Sequence, residues 1–358
     1  MLPKLRKGVE LVEKQEKLPN SSFLHEDKES NQNEINKLLD QAVVLLGTSN
    51  TTTHRQTIHK LEEDIRSSNK KIIEFEEARI SAPDEKPAWK AWQTTKEDYT
   101  NKIEEQKKRI SNNQQKIDAE KQSIRKELQT LGLDVNSEQI DFLLSTVVGE
   151  NIIQVIVAFD NVKSLTLQLE QLMVQSGENV EVARRYYGMY MILLSILDQM
   201  YAQILQDIDR KYIPQIAGGK NLNGQKIEGI VPKTRRLMKE TQKLLNQDGS
   251  AKNKQLLSAN LQAQQLTLQA AQLYTTYLEK QRSEISAAKQ KLDPDLKTAR
   301  NTYETVKVSS ELVEMMKSGR SLFESVRNIQ IPELRIFQNL EMKKEFEKLT
   351  LELKGPHQ

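Results

Sequence analysis

The chain has 358 residues, of which 37% are hydrophobic, 29% charged and 5% aromatic, with 13 Gly and 9 Pro. It is lean in both core-forming and chain-breaking residues, which suits long helices better than a compact enzyme. The net charge of +3, from 53 basic and 50 acidic residues, gives no global field for nucleic acid or anionic lipid, and zero Cys excludes disulfides, thiolate zinc sites and cysteine nucleophiles.

Residues 1–50 read as a polar N-terminal arm. MLPKLRKGVELVEKQEK is basic but lacks the apolar core of a signal peptide. As written the chain reads as cytoplasmic, with a periplasmic or secreted protein as the alternative if a signal segment is missing. KLPNSSFLHEDKESNQNE reads as a loop, and INKLLDQAVVLLG as a short amphipathic helix ended by Gly47.

Residues 51–131 carry a seven-residue repeat. Ile103, Ile110, Ile117, Ile124 and Leu131 follow it, as do Ile58, Ile65 and Ile72 upstream, with Leu61 and Phe75 at the second seam position. Pro83 and Pro87 interrupt the two runs, so the segment predicts an antiparallel coiled-coil hairpin with its tip near residues 81–94. Its second arm would be roughly 50 Å long. Gln106, Asn113, Glu120 and Glu127 fill the alternate seam position. Such a thin seam buries little and points to a further chain or partner. Trp89 and Trp92, the only tryptophans, fall at the tip and are candidate partner-binding residues.

From residue 132 onward the pattern is a long-helix bundle with an apolar centre at 140–216. Asn136 or Ser137 would cap its first helix, and Gly149 and Gly177, each followed by Glu-Asn, mark helix starts or kinks. YYGMYMILLSILDQMYAQIL, residues 186–205, is the most apolar twenty-residue window. Only twelve uncharged residues separate Arg185 from Asp198, fewer than the roughly 20 of a spanning helix. Leu193, Leu197, Met200, Ile204, Ile208 and Tyr212 keep the three-and-four spacing of one helical face. A buried bundle helix is the first reading, and storage of a membrane-inserting segment the second.

A second window, residues 255–278, is free of charge but holds six Gln, each costly in hydrocarbon without a partner. It reads as a helix buried on several sides, or one facing other subunits. The long helix containing it should end near Leu292, with Asp293 and Pro294 starting another. The whole chain is therefore expected to be all-α, an elongated multi-helix bundle with a projecting hairpin.

No constellation for catalysis emerges. Gly219 to Gly224 has the gap of a phosphate loop, but Gln225 replaces its Lys. His54 and His59, five apart, point away from each other on a helix and read as surface residues. No cofactor or metal is expected. Lys233, Arg235, Arg236, Lys239 and Lys243 form a basic patch within 210–243 that suits phosphate, lipid headgroups or an acidic partner but lacks interleaved aromatics.

The reading is thus a non-enzymatic coiled-coil structural or adaptor protein that forms homo-oligomers and docks protein partners. A soluble α-helical membrane-active or pore-forming protein exposing 186–205 is the alternative, with a membrane surface as its partner. Nucleic-acid binding through 210–243 ranks third.

Overall fold

The computed structural model describes residues 1–21, 26–47, 50–85, 93–131, 133–175, 180–247, 251–308, 335–337 and 339–354. The fold is all-α. Among the described residues, strand is confined to the two-residue pairs β1 (Gly219–Lys220) and β2 (Lys226–Ile227), which close an antiparallel hairpin. The chain divides into two units, Met1–Thr48 with Phe142–Gln358, and Ser49–Asp141.

In the first unit, α1 (Leu2–Lys17) and α2 (Lys28–Gly47) occupy the expected polar arm. They are core elements: Leu5, Val9, Leu11, Leu38, Ala42 and Leu46 are all buried. The expected loop ends early because Asp27 caps α2, its Oδ1 accepting from Ser30 N at 2.9 Å while its own N–H reaches Ser30 Oγ at 3.0 Å.

The centre of this unit is α7 (Val180–Asp207), surrounded by α1, α2, α6 (Gly149–Gln175) and α10 (Ala251–Val308). Helix α7 continues through a π turn, Ile208–Tyr212, into the short α8 (Ile213–Ala217). The π turn explains a feature of the apolar spacing. From Met200 to Tyr212 the buried residues step by four three times, and each such step overshoots an α-helical face by about 40°. The wider turn takes this drift back and keeps Ile208 and Tyr212 in the core.

Two glycines mark close approaches. A Cβ at Gly149 would lie 1.7 Å from the carbonyl oxygen of Leu143, at the end of α5 (Ser137–Leu144), so only Gly allows the turn into α6. At Gly188 a Cβ would lie 2.9 Å from both Tyr303 and Val9, which places α1 and α10 tightly against α7.

Helix α10 is 58 residues long, about 87 Å. It runs through Pro294, where a break was expected. Pro removes one backbone bond, but α10 is held on both sides of it: Lys289 pairs with Asp198, and Tyr303 is buried beside Gly188. The N-terminal part of α10 packs against α9 (Ile230–Gln247) alone among the long helices, with Gln264 Nε2 donating to Thr241 Oγ1 at 3.0 Å. The charge-free stretch is therefore not buried throughout. Ala270, Ala271, Tyr274, Tyr277 and Leu278 are buried, while Gln255, Leu256, Gln262, Gln265 and Gln269 are exposed.

The last helix, α11 (Leu340–Lys354), closes the other end of the buried half of α10. Thr350 donates to the Ser145 carbonyl at 2.6 Å, so the Tyr274 hydroxyl donates to Thr350 at 2.8 Å and accepts from Val147 N at 2.7 Å. Phe142, Tyr277, Phe337 and Phe346 pack around this network.

The second unit is an antiparallel helix pair, α3 (Asn50–Ser81) and α4 (Lys96–Thr130). A Thr95 and Asp98 capping box starts α4. Ile58, Ile103, Ile117 and Ile124 are buried along the seam, whereas Leu131 is only half-buried and Leu128 is fully buried in its place. The exchange follows from Val135 and Ile140, also buried, at the base of the pair, where Arg125 Nε donates to the Val135 carbonyl at 2.8 Å. Of the polar seam residues only Asn113 is buried, at 5% exposed, with its Nδ2 lacking a hydrogen-bond partner among the described residues, while Gln106, Glu120 and Glu127 are half-buried. His54, expected at the surface, is half-buried and meets Glu120 at 2.5 Å.

Candidate functional site

The most distinctive constellation is the consecutive pair α6 and α7. Two segments, Gly149–Leu172 with mean hydropathy 1.3 and Glu181–Ala217 with mean hydropathy 1.2, are long and apolar enough to cross a membrane. In the first unit they pack against each other, with α1, α2 and α10 around α7 and α2 also on α6. Every residue from Met189 to Leu194 is buried. A helix apolar on all sides needs neighbours on all sides, and the surrounding helices supply them.

Several polar groups of α7 have specific partners. Arg184 donates to Glu13 at 2.5 Å, and the Tyr303 hydroxyl donates to the same carboxylate oxygen at 3.1 Å. Asp198, the one charge inside the 186–205 window, pairs with Lys289 of α10, which also approaches Asp293 at 3.6 Å. Gln199 and Gln203 both donate to Asp40 of α2, at 3.1 and 2.6 Å. Below the window, Asp209 accepts from Arg282 at 2.5 Å. Together these contacts fasten α7 to α1, α2 and α10.

Electrostatics follow the burial. For Lys289, burial alone lowers the pKa, but the hydrogen bond and charge of Asp198, helped by Asp293, outweigh it and hold the ammonium above the ordinary lysine value. Burial first, then the neighbouring Glu13, push the Tyr303 hydroxyl up. A cavity of about 330 Å³ opens beside Ser195 and Asp198, lined also by Ile35, Leu39 and Met191.

The chain matches no protein-family model, no curated protein and no solved structure.

The other sequence-derived candidates lie elsewhere. Trp89 and Trp92 fall outside the described residues. Lys233, Arg235, Arg236, Lys239 and Lys243 are all exposed on α9, and Arg236 pairs with Glu228 at 3.0 Å. Among the described residues no three His, Asp or Glu side chains converge as metal ligands. Residues 149–175 fall within the expected apolar centre at 140–216, but the second membrane-length window expected from sequence was the charge-free 255–278 and not α6. The signal was present in IIQVIVAF, residues 152–159, a run of hydropathy that counting charges alone passes over.

Proposed function

We propose that the protein is a non-enzymatic, membrane-active helical protein that stores α6 and α7 in a water-soluble bundle and releases them into a bilayer. The observation that carries this reading is the apolar pair: two consecutive segments, each long and apolar enough to cross a membrane, packed together with 50% and 67% of their apolar windows buried. Magnitudes favour a conditional insertion. The seven Leu and Ile of residues 186–205 favour a bilayer by about 0.5 kcal/mol each, while a central Asp costs about 3 kcal/mol. With Asp198 charged the two nearly cancel, so the bundle, where Lys289 neutralises it, is the resting state.

The absence of Cys makes a direct test clean. An environment-sensitive fluorophore on Ser195→Cys should be quenched by spin-labelled lipid when vesicles are added, together with release of an entrapped dye. A probe that stays unquenched under every lipid composition and pH tried would sink the reading.

A second reading, assembly through long helices, is favoured by the charge-free residues 255–269 of α10, none of which is buried and among which Leu256 is 63% exposed. Self-association that survives high salt and is lost on Leu256→Lys would support it, with a second copy of the chain or another protein as partner.

A further inference from the structure

Helix α9 covers only part of its apolar face against α10, half-burying Ile230, Met238 and Leu245. Against α10 it buries Thr234 and Thr241, while Leu237 and Leu244 are 39% and 53% exposed. These two leucines are seven residues apart and share one face. Exposed apolar residues on a helix that already has a packing partner call for another surface to cover them.

Charge says what that surface is. Residues 218–254 contain nine Lys and Arg against Glu228, Glu240 and Asp248, an excess of six in a chain whose total is +3. The remaining sequence is therefore net negative, and the basic character of the protein is concentrated here. Lys233, Arg235, Lys239 and Lys243 are exposed and make no ion pair among the described residues. Lys220 and Lys226, on the β-hairpin that precedes α9, are exposed as well. The cations are thus available to an external anion.

We infer that α9 is the docking surface for anionic phospholipid bilayers. Leu237 and Leu244 enter the headgroup layer, while Lys233, Arg236 and Lys243, on the same side of the helix, engage lipid phosphates and carboxylates, and Arg235 and Lys239 on the far side add to the field that draws the helix in. A helix with basic residues and a short apolar face lies in the plane of such an interface. Nucleic acid fits less well: there is no aromatic residue between Tyr212 and Tyr274 on which a base could stack, and exposed leucines gain nothing from a phosphate backbone. The inference deepens the membrane reading above by naming the lipid class, and it rests on α9 rather than on the α6 and α7 pair.

Flotation of the full chain with phosphatidylcholine vesicles, with and without phosphatidylserine, tests it. The unmodified protein should float with phosphatidylserine at low salt and at least tenfold more weakly without it. Lys233→Gln with Lys243→Gln should weaken binding about fivefold per cation removed. Leu237→Gln with Leu244→Gln should weaken it further and shorten residence, with unchanged circular dichroism and melting temperature. Flotation that none of these substitutions alters would overturn the docking role. So would binding to single-stranded DNA or polyglutamate that displaces vesicles and ignores the leucine changes. The Ser195→Cys probe keeps the two readings apart. Flotation through α9 without quenching removes insertion and leaves docking, whereas quenching with α9-independent flotation does the reverse.

Discussion

Helices α7 and α4, of 28 and 35 residues, are built on opposite plans. In α7 the residues from Tyr187 to Leu194 are buried without a break, and Arg184, Asp198, Gln199 and Gln203 are held by partners on neighbouring helices. In α4 a single stripe, Ile103, Ile117, Ile124 and Leu128, is buried, and Asn113 sits in it without a partner for its Nδ2. A helix with one stripe needs one neighbour and keeps its remaining surface in water. A helix apolar on every side has only two comfortable surroundings, a sheath of other helices or lipid. That difference is why α7, and not the longer α4, is the candidate for two states.

The contrast can be broken at its strongest point by truncating each core. Leu193→Ala, at a fully buried site, should cost about 3–5 kcal/mol and Ile117→Ala about 2–3 kcal/mol. Hydrogen exchange resolved by peptide should confine each loss to its own unit. Equal costs that spread through both units would mean that the two plans are not separate.

A smaller effect is expected at the fastening of α7. Lys289→Met, at a pair whose side chains are each 27% exposed, should destabilise the first unit by about 1–2 kcal/mol. It should also accelerate dye release from vesicles if the pair acts as a latch. The pH dependence has a definite sign. The Lys289 pKa is raised above the model-compound 10.5, so its contribution is complete below that value and is lost as pH rises through the shifted one. Buried Tyr274 and Tyr277, raised above 10.0 chiefly by burial, act in the same direction. Their joint contribution to the melting temperature should be flat from about pH 6 to about pH 9 and fall beyond pH 10. The alkaline fall should be shallower in Lys289→Met.

The smallest change goes the other way. Asn113→Leu removes from the α3 and α4 seam a buried amide whose Nδ2 has no partner among the described residues, and should stabilise the second unit by about 1 kcal/mol in denaturant unfolding. A loss of stability there would show that Asn113 holds register in the pair.

Much of this was legible in the chain itself. The all-α class follows from composition, and of the seven-residue series in α4 Ile103, Ile117 and Ile124 are buried while Ile110 is half-buried. Beyond Ile124, Leu128 replaces Leu131, because the chain folds back through Val135 and Ile140, a tertiary contact that no repeat encodes. The N-terminal helices were harder to see. Pro3, Gly8 and many charges dilute the signal of Leu5, Val9 and Leu11, and only the presence of α7 gives those residues something to cover. Pro294 misled for the same reason in reverse: its local rule ends a helix, yet contacts with α7 and α1 on both sides keep α10 in one groove. The candidate site was half visible. Residues 186–205 stood out, but their partner α6 carries Glu150, Asp160, Lys163 and Glu170 and did not, since a charge-free window elsewhere drew more weight than sustained hydropathy.

The π turn at Ile208–Tyr212 makes α7 unevenly tolerant of length changes. Deleting one residue within the turn would restore ordinary α-helical winding and leave the apolar faces before and after it in register. The same deletion near Leu193 would swing everything on one side of it by about 100°, carrying Asp198 away from Lys289 and charged side chains into the core. The chain can therefore lose a residue at one end of its central helix, but not in the middle.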